Sequence, residues 1–177
     1  MMHSLLTALL ALIVNISFAQ KNDDLIYWTA SRKLTWDDYR AQPKQGADAA
    51  ASTATYLGIE YNFGKDGFDY KITCSFSKTR SWALHKNDYI LAHEQGHFDI
   101  AEIFARRLHK KMQEYVFNKK TFKEDLKKIY MDLMSEKDAY QNDYDEETNH
   151  SIHREKQRHW LQKINEELAA LNDYGDY

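Results

Sequence analysis

The stretch NDYILAHEQGHFDIAEIFARRLH, residues 87–109, decides the fold that the rest of the chain must support. Asn87 or Asp88 can cap the start of a helix here, because a short polar side chain accepts a hydrogen bond from a free backbone N–H group. At about 100° per residue, one face of this helix carries two histidines among apolar residues, and the opposite face is polar. The first face comprises His93, His97, Ile100, Ala101, Phe104 and Leu108, and the second comprises Gln95, Asp99, Glu102 and Arg106. The pattern predicts an amphipathic helix whose histidines face the core.

Residues 93–97 read HEQGH, which is an H-E-x-x-H motif. Two imidazoles one helical turn apart can bind a single metal ion, and Glu94 lies beside them, within reach of a metal-bound water. Two unconnected core histidines are the simpler interpretation, but the spacing and the position on the apolar face favour a metal site. The motif predicts zinc bound by His93 and His97, with Glu94 as general base.

A catalytic zinc ion usually has three protein ligands and leaves a fourth position to water. A metzincin-type histidine is excluded, because Ile103 stands six residues after His97. We predict His150 as the third ligand, since it closes an acidic turn at residues 143–149, near the start of the last helix. The alternatives are His153 and the carboxylates Glu146 and Glu147. Asp145 or Glu147 is a candidate partner that orients a ligating imidazole.

Three stretches of the sequence resemble signature segments of DUF922, a family of secreted bacterial proteins usually labelled as predicted zinc-dependent proteases. They are LAHEQGHFDIAE around the motif, LTWDDY at residues 34–39 and YDEETNH at residues 144–150. The resemblance implies an exported zinc protease with a zincin-like active-site helix, and it points to His150 as a ligand. The family pattern places Gly after this histidine, whereas the chain has Ser151, so a bend that needs a positive φ there would be altered.

Other single residues carry weaker signals. Tyr144 is a candidate catalytic donor to a developing oxyanion, although a packed tyrosine fits the sequence equally well. Cys74 lies on the apolar side of a predicted strand and is expected to be a small core residue. His109 and His159 are expected on the surface.

Residues 1–19 have the pattern of a signal peptide. The apolar run over residues 5–18 is too short for a stable membrane span, and Ser17 and Ala19 are the small residues that signal peptidases prefer. We predict cleavage after Ala19, with an uncleaved anchor as the alternative. The remaining residues 20–177 are enough for one domain with a substantial core.

The composition excludes several classes of protein. The chain has 177 residues and a formal net charge of −3, which gives no electrostatic case for binding nucleic acid or an anionic membrane surface. A single cysteine, Cys74, excludes an internal disulfide despite the predicted export. Stability must come from packing and from the predicted metal.

The remaining patterns predict an α+β fold. Residues 25–28 form a short predicted strand, and two alternating runs, at residues 55–63 and 70–76, flank a Gly/Asp loop and predict a β-hairpin. A second helix opens with a capping-box pattern at Thr121 and ends near residues 138–142. A third helix follows, and the tail at residues 172–177 is expected to fray. We expect a small antiparallel sheet packed against about three helices.

These expectations combine into one function. The sequence predicts a secreted zinc metallopeptidase that hydrolyses a protein or peptide substrate, binds no nucleic acid and has no stable membrane insertion after signal cleavage. The resemblance to the bacterial family implies the periplasm as its compartment. The alternatives are a zinc-stabilised binding module without turnover and a helical fold in which the histidines are ordinary core residues.

Overall fold

The computed structural model describes residues 24–43, 46, 49–65 and 67–177 of the chain. The predicted signal peptide and its cleavage site lie outside this part. Three helices and a small antiparallel sheet form the described residues, which confirms the predicted α+β class. None of the helices in this part is long and apolar enough to cross a membrane.

The sheet contains three antiparallel strands in the order β1-β4-β3. They are β1 (Leu25–Tyr27), β3 (Thr55–Phe63) and β4 (Phe68–Ser77). The predicted hairpin is confirmed, and its register runs from Thr55 opposite Phe76 to Phe63 opposite Phe68. A separate pair joins β2 (Ala51–Ser52) to β5 (Trp82–Ala83). Because side chains alternate along a strand, this register turns Leu57, Ile72, Cys74 and Phe76 into the core.

The first helix, α1 (Asp88–Glu114), is the centre of the fold. The predicted cap is confirmed, since the Asn87 side chain accepts a hydrogen bond from the backbone N–H of Ile90 at 2.9 Å. One side of α1 packs on the sheet, and the other packs on α2 (Phe122–Thr148) and α3 (Arg154–Ala170). Its side chains therefore provide much of the core, including Phe98, Ile100, Ile103, Phe104 and Leu108.

The second helix is longer than the sequence indicates. It continues to Thr148, so the predicted end near residues 138–142 is wrong and the predicted acidic turn is the last part of α2. The predicted capping box does not form either, because Thr121 Oγ1 donates to the Asp125 carboxylate at 2.7 Å. After Thr148 the chain bends through three consecutive positive φ angles, 49° at Asn149, 49° at His150 and 75° at Ser151. The position where the family pattern has Gly thus adopts a glycine-like conformation with a serine.

The polar face of α1 is also buried, which the amphipathic pattern does not predict. Asp99 is only 5 % exposed, and its Oδ1 accepts hydrogen bonds from Trp28 Nε1 at 2.7 Å and Gln95 Nε2 at 2.9 Å. The backbone N–H of Leu34 donates to Gln95 Oε1 at 2.8 Å. The segment before the hairpin therefore covers this face and satisfies its polar groups.

The C-terminal residues cover the next turn of the same face, so the expectation of a frayed tail is wrong. Tyr177 Oη donates to Glu102 Oε2 at 2.5 Å, and Arg106 Nε donates to Glu102 Oε1 at 2.8 Å. His109, which was expected on the surface, is buried between the rings of Tyr70 and Tyr177. The tail is thus part of the packed structure.

The closest approach of α1 and α2 occurs at Gly96. A Cβ atom at this position would lie 2.5 Å from Tyr144 Oη and 2.9 Å from Tyr144 Cζ, which are distances that packed atoms do not reach. The Tyr144 ring cannot easily move, because it is fully buried between His93 and Trp160, with ring centroids at 4.5 Å and 5.5 Å. The absence of a side chain at Gly96 is therefore required for this packing.

We expect Gly96→Ala to destabilise the protein by about 1–3 kcal/mol, since the added methyl group overpacks the interface with Tyr144. A contact of 2.5 Å places the cost of overpacking in the upper part of this range, so a net loss remains after the roughly 1 kcal/mol that alanine gains over glycine in a helix. Urea unfolding followed by circular dichroism measures the difference. Gly64→Ala is the matched control, because a Cβ there has only one neighbour, the Gly67 carbonyl oxygen at 3.9 Å. Stability of Gly96→Ala equal to or above the wild type would contradict the packing argument.

Candidate metal centre

Two histidines of α1 and one carboxylate of α2 converge on a single point. His93 Nε2 and His97 Nε2 lie 3.2 Å apart, and each is 3.1 Å from Asp145 Oδ1. Ligand atoms about 2.0–2.1 Å from a tetrahedral zinc ion are roughly 3.3 Å apart, so these spacings fit one ion. Among the described residues, His93, His97 and Asp145 form a group whose potential ligand atoms all lie within 4.8 Å of one another.

Gln141 orients the imidazole of His97. Its Oε1 lies 2.5 Å from His97 Nδ1, and its Nε2 donates to the His97 carbonyl oxygen at 2.9 Å. Because an amide oxygen only accepts, Nδ1 carries the hydrogen of this bond and Nε2 faces Asp145. An outer partner that fixes the ring in this way is typical of ligating histidines.

The charges around the two histidines favour a cation between them. Burial lowers the pKa of His97, but the hydrogen bond to Asp145 and the nearby charge of Glu94 raise it to about 9. Burial and the neighbouring His97 lower the pKa of His93 despite its contact with Asp145. The pKa of Asp145 stays well below its usual range, because its hydrogen bonds to the two imidazoles outweigh burial. The site therefore combines an anionic carboxylate with two imidazoles, and its positive charge can come from a proton or a metal ion.

His93 has a second, unusual property. Its Nδ1 atom is buried and has no hydrogen-bond partner among the described residues, while its ring stacks on Tyr144. The His93 Nε2 atom contacts His97 Nε2 and Asp145 Oδ1, so the atom of this ring that has polar partners among the described residues is the one that faces the cluster.

The bend after α2 places His150 beside the cluster. Its imidazole is 61 % exposed, and its Nδ1 lies 3.5 Å from Asp145 Oδ1. Its role as third ligand stays a prediction, and Asp145, which the sequence suggested as an outer partner, contacts both histidines directly. His153 is the exposed N-cap of α3, and Glu147 Oε2 accepts a hydrogen bond from Trp160 Nε1 at 3.1 Å, outside the cluster.

Glu94 is buried next to the cluster and has a side-chain donor that the sequence did not reveal. Thr53 Oγ1 donates to Glu94 Oε2 at 2.6 Å, and Tyr39 Oη lies 2.7 Å from Thr53 Oγ1. Burial and the charge of Glu94 raise the pKa of Tyr39, so the phenol is neutral. Its O–H group donates to Thr53 Oγ1, because the hydroxyl hydrogen of Thr53 is used in the bond to Glu94. Tyr39 ends the LTWDDY stretch, and this chain of hydrogen bonds connects that stretch to the motif.

Tyr144 packs against His93 and fixes its position in the site. Its hydroxyl donates to the carbonyl oxygen of His93 at 3.2 Å, and its side chain is fully buried. Burial, followed by the charge of Glu94, raises its pKa well above the usual range, so it stays neutral. These contacts describe a packed tyrosine that fixes His93, and its hydroxyl is already used within the protein.

A cleft of about 690 Å³ opens over the cluster. One wall is the small-residue segment at residues 49–55, and the opposite wall is α2, with Lys137, Asp138, Gln141 and Asn142. His93, Glu94, His97, Asp145 and His150 all line it. The candidate metal centre is therefore accessible from solvent.

The site lies inside a region that defines the family of this chain. The model of the family described as bacterial protein of unknown function (DUF922) matches residues 14–151, which include every residue of the cluster, so the chain belongs to this family. Comparison with curated proteins gives no match, and comparison with solved structures gives none.

We expect the purified chain to bind one zinc ion per molecule, because the donor atoms converge at the right spacing. Alanine at His93, His97 or Asp145 should each remove most of the zinc measured by plasma emission spectrometry. His159→Ala is the control, since this histidine is exposed and outside the cluster. Zinc should also raise the melting temperature of the wild type and not that of His97→Ala.

His150→Ala identifies the third ligand. Loss of zinc from this variant with retention in Asp145→Ala would establish the ligand set that the sequence predicts. Retention of zinc in His150→Ala with loss in Asp145→Ala would establish the set His93, His97 and Asp145. A wild type that binds no zinc after supplementation would contradict both.

Proposed function

We propose that this protein is an exported zinc-dependent peptidase whose ion is bound by His93, His97 and Asp145. The observation that carries the proposal is the position of Glu94, which is 4 % exposed and lies beside the His–His–Asp cluster on the floor of an open cleft. Among the described residues, this buried carboxylate forms no ion pair with a basic side chain, and it accepts a hydrogen bond from the neutral hydroxyl of Thr53. A general base fits this position.

Two side chains, Glu94 and Thr53, have roles in the proposed hydrolysis. The chemistry that a bound zinc ion supplies is polarisation of the scissile carbonyl and a lower pKa, about 7, for a water molecule. Glu94 takes the proton of the attacking water and returns it to the leaving amine. Thr53 already donates to Oε2 of Glu94, so the other carboxylate oxygen, Oε1, accepts this proton.

The shape of the cleft supports a peptide substrate. The wall at residues 49–54 contains only alanine, serine and threonine, so side chains project little and an extended chain can lie against the backbone. The opposite wall carries polar groups of α2 that can contact substrate side chains. The apolar leader at residues 1–19 supports export, and the bacterial family supports the periplasm as the compartment.

One observation favours the second candidate, a zinc-stabilised binding module without turnover. The predicted oxyanion donor, Tyr144, uses its hydroxyl on the His93 carbonyl and is fully buried. Without a hydrogen bond from Tyr144, the developing oxyanion would be stabilised by the ion alone or by the exposed side chain of His150.

We expect Glu94→Gln to lower the rate of peptide hydrolysis by about 10² to 10⁴, because the amide cannot accept a proton. Zinc content should stay at the wild-type level, since no proposed ligand changes. The measurement is cleavage of an unfolded, fluorescently labelled protein at matched zinc occupancy. Equal rates would remove Glu94 from the mechanism, and inactivity of both proteins on a broad peptide set would favour the binding module.

A second test addresses how Glu94 is oriented. Thr53→Val removes the hydroxyl with little change of shape, so we expect kcat to fall on the order of tenfold with an unchanged KM and full zinc content. Thr53→Ser should restore most of the rate, and Thr53→Val should cost nothing further in the Glu94→Gln background. Thr55→Val is the matched control in the same wall. A rate that is unaffected by Thr53→Val would show that this hydrogen bond does not orient the base.

A further inference from the structure

We propose that the end of the molecule remote from the metal cluster docks on the surface of an anionic lipid membrane. Two parts of the described chain meet at this end: the hairpin end, at residues 63–65 and 67–68, and the α1–α2 connection at residues 115–121. Their aromatic rings form one cluster, with centroid distances of 4.8 Å between Phe63 and Phe122 and 5.7 Å between Phe68 and Phe117. We call this region the aromatic end.

Apolar side chains protrude from the aromatic end into solvent. Val116, in the α1–α2 connection, is 85 % exposed, and Phe63, the last residue of β3, is 54 % exposed. Single exposed apolar residues are ordinary, but an exposed group continuous with an aromatic cluster marks a surface that contacts an apolar phase. Phenylalanine is also among the residues that surface-bound protein segments bury at the boundary between lipid and water.

Lysines surround these side chains. Residues 110–128 contain seven lysines and three acidic residues, which gives this segment a net charge of +4, whereas the whole chain has a net charge of −3. Lys119, Lys120 and Lys123 are exposed beside the rings. The hairpin turn adds no net charge, since Lys65 is followed by Asp66 in the sequence. The balanced total charge of the chain hides this local excess, and an excess of lysines is what attracts a protein surface to anionic lipid.

The combination of charge and shape selects a membrane over other occupants. In a twofold dimer the same patch faces itself, so the lysines of two copies would repel each other. The exposed apolar side chains lie at the tips of the structure, where they can enter a lipid surface. Lysines beside them can extend their alkyl chains along the apolar region and keep their ammonium groups among the lipid headgroups. Anionic lipid satisfies both the rings and the lysines at once.

The docked orientation leaves the cleft in water. From His97 to Glu114, α1 continues for 17 residues, which is about 25 Å of helix, before the chain enters the aromatic end. The metal cluster therefore stands well above the lipid surface. Surface docking needs no spanning helix, which agrees with the absence of one among the described residues. The inference does not depend on zinc or on hydrolysis.

The test uses the full chain, exported by a bacterial host and recovered in soluble form, in co-sedimentation with phosphatidylcholine vesicles with or without phosphatidylglycerol. We expect at least about tenfold tighter binding to the anionic vesicles, with loss of binding at high salt. The double variant Lys119→Glu and Lys120→Glu and the double variant Phe63→Ser and Val116→Ser should each weaken binding about tenfold or more. Unchanged melting temperatures show that the variants are folded.

The matched control places the same charge change on another face. Lys156→Glu with Arg158→Glu alters two exposed cations of α3 and should leave vesicle binding at the wild-type level. Phe63→Trp adds a direct readout, since its fluorescence should shift to the blue with anionic vesicles and be quenched by brominated lipid. Equal binding to both kinds of vesicle, or wild-type binding by both patch variants, would overturn the proposal. Binding of polyglutamate but not of vesicles would overturn it in favour of an acidic protein partner.

Discussion

The close contact between α1 and α2 at Gly96 is the constraint on which the candidate site depends. Because Gly96 has no side chain, the Tyr144 ring reaches the backbone of α1 and packs under His93. Asp145 follows Tyr144 in the chain, and this approach places its carboxylate 3.1 Å from both imidazoles. A glycine inside the motif thus sets the position of a carboxylate some fifty residues away in the sequence.

The polar face of α1 has a different role from that of the histidine face. A buried charge is costly unless it is paired and hydrogen-bonded. Asp99 receives donors from Trp28 and Gln95, while Glu102 receives donors from Arg106 and Tyr177. These bonds join both ends of the described chain to α1, so the helix that carries the motif is fixed on every side. This arrangement suits a site that needs two histidines at a constant separation.

Patterns with a strong period were predictable from the sequence, and contacts between distant segments were not. The hairpin, the cap at Asn87 and the buried position of Cys74 follow from alternation and from local polar chemistry. The last turns of α2 were missed because the apolar stripe of this helix runs out near residues 138–142. These turns are held by contacts with a distant segment, of Tyr144 with Gly96 and of Asp145 with the two histidines. Thr53 lies in a tract of small residues that has no period, so its contact with Glu94 had no sequence signal.

The bend after α2 gives the two halves of the candidate site different mobility. The amide hydrogens of α1 lie in the most buried part of the fold, and such amides exchange with water only when the whole domain opens. Asp145 lies in the last turns of α2, close to Asn149 and His150, which are exposed and have positive φ angles. Exposed residues at the end of a helix open more readily than a buried helix interior. In the proposed zinc site, opening of this bend would separate the carboxylate from the imidazoles while the motif helix stays intact, so the end of α2 would set the rate at which the ion exchanges.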